Sequence, residues 1–126
     1  MAKMNVECLH VYRLSHALTL DLYKLTAKFP IEEKFGLVSQ IRRASSSVCA
    51  NLIEGSHRES KNEYRRFATI SRGSVGELKY HLLLGRDLRY ISEDRYEYYL
   101  KIIDRVSRML HGLIKSLENF HLSDNR

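Results

Sequence analysis

Residues 93–120, EDRYEYYLKIIDRVSRMLHGLIKSLENF, decide the fold. Tyr99, Ile103, Val106, Leu110, Leu113, Leu117 and Phe120 follow one another at steps of 4, 3, 4, 3, 4 and 3. That spacing is the seam of a helix that buries one face and leaves the others to charged residues. Ser92 precedes the run as an N-cap, so a helix is predicted over 93–120. The following HLSDNR reads as a frayed end. Tyr96 and Tyr98 fall off the seam and are expected to contact a partner subunit.

Working back along the chain, Ser60-Lys61-Asn62-Glu63 has the pattern of a capping box, with Ser60 as N-cap and Glu63 reaching back. It opens a helix over 61–88. The helix before it, 36–54, carries Leu37, Ile41, Ser45, Val48 and Leu52 on one face, with Val38, Ala44 and Cys49 beside them. Gly55 is expected to end it as a left-handed C-cap. The first helix, 11–28, aligns Val11, Leu14, Leu18, Leu22, Leu25 and Phe29 until Pro30 stops it. Four amphipathic helices with short connections most simply form an all-α, antiparallel, up-down-up-down four-helix bundle, one domain over 1–126. If the middle hairpin turns between His57 and Arg58, Ala44-Ser45-Ser46-Ser47 lies opposite Ala68-Thr69-Ile70-Ser71. Arg42 and Arg43 then stand level with Gly73 and Arg72. Gly73 and Gly76, each costing a helix about 1 kcal/mol, imply a seam where backbones approach closely.

Composition agrees with this reading. A chain of 126 residues with one proline and six glycines has too few turn residues for a β-sandwich or barrel. Its apolar runs are as short as Leu82-Leu83-Leu84, against the ~20 residues a membrane span needs, so no membrane partner is expected. The N-terminal stretch lacks the apolar core of a signal peptide. Cys8 and Cys49 form neither a disulfide framework nor a metal-like pair, which suits reduced thiols in a cytoplasmic protein.

The net charge is +6, and its distribution is uneven. Residues 42–89 hold ten basic and five acidic side chains, +5 of the total. Arg58, Lys61, Arg65, Arg72 and Lys79 recur at 3, 4, 7 and 7, one helical face, with Arg66 beside it. Such a stripe is suited to phosphates, and the interleaved Tyr64, Tyr80 and Tyr90 to stacking on bases. The alternative is a solvated face laced by ion pairs to Glu59, Glu63 and Glu77. Arg42 and Arg43 stand apart. Glu77 lies within a turn of them, so at least one is expected to be its buried structural partner, while a binding role stays open for the other.

Enzymatic signatures do not assemble. Glu54-Gly-Ser-His57 has the Glu-x-x-His spacing of di-iron bundles, but no second copy exists, and Gly55 is expected to interrupt it. His10, His16, His81, His111 and His121 have no zinc spacing. Ser45-Ser46-Ser47 lacks a base nearby and reads as packing. No catalytic residue, metal or cofactor is expected.

The segment from Phe29 to Ile91 resembles the bacterial four-helix-bundle family named for the 23S rRNA intervening sequence. The matching residues are Phe29-Pro30, Glu32-Glu33, Gly36-Leu37, Ser39 to Ala44, Asn51, Glu54-Gly55, Arg58, Ser60, Glu63-Tyr64, Arg66-Phe67, Gly73-Ser74 and Glu77-Leu78. Phe35 stands where that family has tyrosine, Leu52-Ile53 where it has Ile-Ala, and Ser71-Arg72 where it has a small apolar residue. The resemblance implies a four-helix protomer assembled into a ring, often a homopentamer, with a nucleic-acid role. A similar fold serves as the accessory variability protein of diversity-generating retroelements, a basic pentamer that binds a reverse transcriptase. The expected function is therefore a non-enzymatic, oligomeric, cytoplasmic protein that binds nucleic acid, structured RNA above all. The alternative is a protein-interaction scaffold such as a reverse-transcriptase accessory subunit.

Overall fold

The computed structural model describes residues 6–124, with side chains described for residues 8–118. Four helices are present: α1 (Val6–Thr26), α2 (Leu37–Ser56), α3 (Lys61–Asp87) and α4 (Glu93–Asp124). A 3-10 turn, Ile31–Glu33, lies between the first two. No strand occurs among the described residues. Each helix packs on two neighbours around a square, α1 on α2 and α4, α3 on α2 and α4, and among the described residues the backbones of the diagonal pairs do not approach one another.

Cross-helix contacts show all four neighbouring pairs running antiparallel. Thr19 Oγ1 donates to the Ser45 carbonyl while Arg42 reaches Thr26. Ser71 Oγ donates to the Val48 carbonyl at 2.9 Å while Arg43 meets Glu77. Arg86 lies near Glu93, and Lys79 near Asp104. His10 sits by Met109 and Asp21 by Tyr99.

The apolar spacing accounts for the core. On α4, Tyr99, Ile103, Val106, Leu110, Leu113 and Leu117 are all buried; the side chain of Phe120 lies outside the described residues. Leu18, Leu22 and Leu25 of α1 and Leu37, Ile41, Val48 and Leu52 of α2 face them, with Val75, Leu78 and Leu82 from α3. Burying each such side chain stabilises the fold by about 1.5–3 kcal/mol. Ser60 Oγ accepts from the Glu63 amide at 3.0 Å, the expected N-cap. Ser92 Oγ likewise accepts from the Arg95 amide. Glu63 does not complete the box: its carboxylate turns to Arg66.

Several details differ from the sequence reading. Among the described residues α1 is already helical at Val6 and ends at Thr26, and α4 is helical through Asp124, beyond the predicted end at 120. Gly55 does not end α2, which runs to Ser56, and no glycine has positive φ. It lies instead at a close approach to α3, where a Cβ would stand 2.7 Å from Phe67 Cβ. The two extra residues of α2 displace the hairpin, so Ser47 meets Ser74 and Arg43 meets Glu77, not Arg72. Ala44, Ala68 and Ser71 are buried in a close-packed seam, but Gly73 and Gly76 are outside it. They are exposed, and a Cβ on either would meet nothing within 4 Å.

The left-handed residue is Arg89, at φ 67°. The Tyr90 amide donates back to the Gly85 carbonyl at 2.9 Å, closing α3 in the manner that glycine usually serves. Tyr96 is buried with Arg86 stacked 4.6 Å from its ring, so it is a core residue and not a subunit contact. Glu33 ties the two connections at this end of the bundle. One carboxylate oxygen accepts from the Leu37 amide at 3.1 Å, and the other from the Tyr90 hydroxyl at 2.9 Å.

Candidate nucleic-acid interface

The predicted basic stripe divides into two groups. Lys61, Arg65, Arg72 and Lys79 remain on one face of α3, along the edge beside α4. Lys79 Nζ stands 3.3 Å from Asp104 Oδ1 across that boundary. Arg58 and Arg66 are on the other side, where their guanidinium groups each lie 4.8 Å from the Phe67 ring. Arg58 pairs with Glu54 at 3.4 Å and Arg66 with Glu63 at 3.0 Å. Hydrogen bonding from Arg66 holds the Glu63 carboxyl below the usual carboxylate range. The Arg66–Glu63 pair is of the kind the alternative reading expected, whereas Arg58 takes Glu54 and Glu77 takes Arg43. Exposed pairs of this kind are screened by solvent and contribute little, so they do not preclude other contacts.

Between α3 and α4 runs an open groove made of two adjoining depressions of about 450 and 440 Å³. Arg72, Asp104 and Ser107 border both. Thr69 and Lys79 lie along the α3 side of the first, and Gly73 and Gly76 keep it open because neither has a side chain to fill it. Arg108 and His111 line the second from α4. Among the described residues Arg65, Arg72 and Arg108 have no acidic partner, while Lys79 has Asp104. Arg65 and Lys61 continue the cationic line toward the start of α3, and Lys115 lies one turn beyond His111. Arg108 and His111 were missed because residues 42–89 hold +5 of the total charge, and the basic residues of α4, Lys101, Arg105, Arg108 and Lys115, lie outside that stretch. Their spacing of three, opposite the apolar seam, was the available signal.

Other candidates resolve structurally. Arg43 pairs with Glu77 and donates to Gln40 Oε1 at 2.9 Å. The pair is not buried as expected: the two side chains are 53% and 39% exposed. Arg42 covers the end of α1. Its guanidinium stacks 4.5 Å from the Tyr23 ring, Nε donates to Thr26 Oγ1 at 3.0 Å, and a terminal nitrogen donates to the Tyr23 carbonyl at 3.1 Å. Neither arginine reaches the groove. Of the three interleaved tyrosines, Tyr64 is buried and Tyr90 is packed on Phe29 and bonded to Glu33; Tyr80 alone is exposed.

Glu54 is committed to Arg58, and among the described residues no three His, Cys, Asp or Glu side chains group closely enough to hold a metal ion. Ser45 and Ser46 hydroxyls donate to the Arg42 and Arg43 carbonyls, and the Ser47 hydroxyl bonds that of Ser74. Among the described residues no helix is long and apolar enough to cross a membrane.

No curated protein sequence matches the chain. A solved structure from Bacteroides thetaiotaomicron, a protein of unknown function from the S23 ribosomal protein family, superposes with a TM-score of 0.78. It is 24% identical, and the match covers 87% of this chain and 99% of that one, which establishes the shared fold. The model of the 23S rRNA-intervening sequence protein family matches residues 7–112, most of the chain and both walls of the groove, and the protein belongs to that family.

Proposed function

We propose that this protein is a non-enzymatic, cytoplasmic, nucleic-acid-binding protein that works as a ring-like homo-oligomer, a pentamer by family resemblance, with structured RNA as its ligand. The observation that carries this reading is the line of cations beside the α3/α4 groove. Arg65, Arg72 and Arg108 have no acidic partner among the described residues, and Lys61 and Lys79 extend the line. Arg58 and Arg66 add charge on the neighbouring face. Phosphate contacts would position the ligand with little sequence discrimination.

The test is RNA binding by fluorescence anisotropy across a salt titration. Replacing Lys61, Arg65 and Arg72 with glutamine lowers affinity and flattens the salt slope by about 0.7–0.9 for each phosphate no longer neutralised. Helicity and assembly stay as in the parent protein. Unchanged binding by the triple variant, or no binding by the parent protein at low salt, contradicts the proposal.

Oligomerisation draws on large apolar side chains left exposed on the single chain, Phe35 at 88% and Ile31 at 76% foremost. Light scattering that finds only a 14.8 kDa species at micromolar concentration overturns it. The same side chains favour the second reading, a protein-interaction scaffold such as a reverse-transcriptase accessory subunit. That reading takes over if a protein partner co-purifies and nucleic acid does not.

A further inference from the structure

The groove offers charge and hydroxyl groups beside the apolar Val75 and Ile103, and its one aromatic ring is the imidazole of His111. Arg72 and Lys79 come from α3, Arg108 and His111 from α4, and Thr69 and Ser107 supply hydroxyls. No Tyr or Phe lines either depression. Proteins that hold unpaired strands do so with aromatic platforms on which the bases stack, worth about 1–3 kcal/mol per base. Here Tyr64 is in the core, Tyr90 is occupied by Phe29 and Glu33, and the exposed Tyr80 does not line either depression. A duplex keeps its bases stacked on one another and presents phosphates and, in RNA, 2′-hydroxyls.

The groove matches that second kind of surface. It is open and runs along two antiparallel helices. The cationic line from Lys61 to Lys79 extends roughly 27 Å at the rise of an α-helix. Gly73 and Gly76 leave backbone exposed at its floor, so a rigid ligand can approach without displacing side chains. Asp104 is the acid within the groove, and its 3.3 Å contact with Lys79 keeps its charge compensated.

We infer that the α3/α4 groove takes the sugar–phosphate backbone of double-stranded RNA, with Arg72 and Arg108 on phosphates and Thr69 and Ser107 on 2′-hydroxyls. This rests on the nucleic-acid reading above and adds two things to it: the duplex form of the ligand, and the hydroxyl contacts of Thr69 and Ser107.

The experiment compares three probes of equal length with the full-length protein at one salt concentration: an RNA duplex, one of its strands designed to stay unpaired, and a DNA duplex of the same sequence. The RNA duplex binds at least about tenfold more tightly than the single strand, a difference of about 1.4 kcal/mol. Arg72→Gln with Arg108→Gln lowers duplex affinity and flattens its salt slope by about 0.7–0.9 per arginine, with helicity and assembly unchanged. Thr69→Val with Ser107→Ala narrows the preference for RNA over DNA duplex while leaving the salt slope in place. Equal or tighter binding of the single strand overturns the duplex assignment and leaves nucleic-acid binding standing. Loss of affinity on removing Arg72 but not Arg108 overturns the α4 contribution. Equal binding of RNA and DNA duplexes overturns the hydroxyl contacts. If no probe binds, the nucleic-acid reading itself fails, and this inference with it.

Discussion

Gly55 in the last turn of α2 faces Phe67 on α3 so closely that a methyl group on the glycine would stand 2.7 Å from Phe67 Cβ. The same methyl would lie 3.3 Å from the Tyr64 carbonyl oxygen. The hairpin therefore closes on a glycine because of its size and not because of its backbone freedom. Both partners are on a helix whose backbone is held by its own hydrogen bonds, so neither yields cheaply. Gly55→Ala is expected to destabilise the protein by about 1–3 kcal/mol, the usual range for overpacking. Urea unfolding measures it; a variant as stable as the parent would show that α2 and α3 can separate there.

Gly73 and Gly76 predict the opposite. Both are helical, and a Cβ at either meets nothing within 4 Å. Gly73→Ala and Gly76→Ala should each stabilise α3 by up to about 1 kcal/mol through helix propensity alone. Thermal melts of the two variants beside Gly55→Ala check the sign at all three positions.

Arg89 holds a left-handed conformation at the end of α3, which an L side chain occupies at a cost of about 1–2 kcal/mol. Its backbone position is dictated by the Tyr90-to-Gly85 hydrogen bond and the short connection into α4. Arg89→Gly is expected to raise stability by about 1 kcal/mol with no change in helix content. A loss of stability on this substitution would mean that the Arg89 side chain contributes more than its backbone strain removes.

Arg42 separates structure from binding. Its stacking on Tyr23 and its hydrogen bonds to Thr26 and the Tyr23 carbonyl fasten α2 to the end of α1. Arg42→Ala should lower stability by about 1–2 kcal/mol, the scale of one charge-assisted hydrogen bond with a stacked cation. Its effect on RNA affinity, measured well below the melting temperature, should be nil. An RNA-binding defect in an intact oligomer would move Arg42 into the interface.

The two thiols report on the core. Burial pushes Cys49 up from 9.0 to about 11, and burial also raises Cys8, in opposition to a hydrogen bond with Tyr64. A raised thiol pKa means that the unfolded chain releases its proton first as pH rises. The contribution of Cys49 is thus complete below pH 9.0 and is lost between there and about 11. The melting temperature should fall over that interval, less steeply in Cys49→Ala. At neutral pH, iodoacetamide should modify neither thiol until the protein is denatured, as mass spectrometry of the intact chain will show.

The α3 wall of the candidate site was legible in the sequence and the α4 wall was not. Lys61, Arg65, Arg72 and Lys79 announce themselves by shared spacing on one helix. Arg108 and His111 look like any solvated face of an amphipathic helix until α3 is laid beside them. Arg58 and Arg66 satisfied the same spacing rule approximately, yet the Phe67 ring and the acids at 54 and 63 draw them to another side. Spacing along a helix cannot decide which of two neighbouring faces a long, flexible side chain will join.

By itself the sequence determined the four helices, their apolar faces, the Ser60 cap and the bundle they form. Each follows from periodicity and from local hydrogen bonding, which act over a few residues and hold wherever the helix is placed. The tertiary structure alone decided how the helices register. α2 runs on through Gly55, which packs closely against Phe67, and in the register of the packed pair Arg43 meets Glu77 while Arg72 lines the groove. It also decided that the left-handed residue is Arg89 and that Gly73 and Gly76 open onto solvent. Those outcomes depend on contacts between residues distant in the chain, whose energies exist only once the helices have packed.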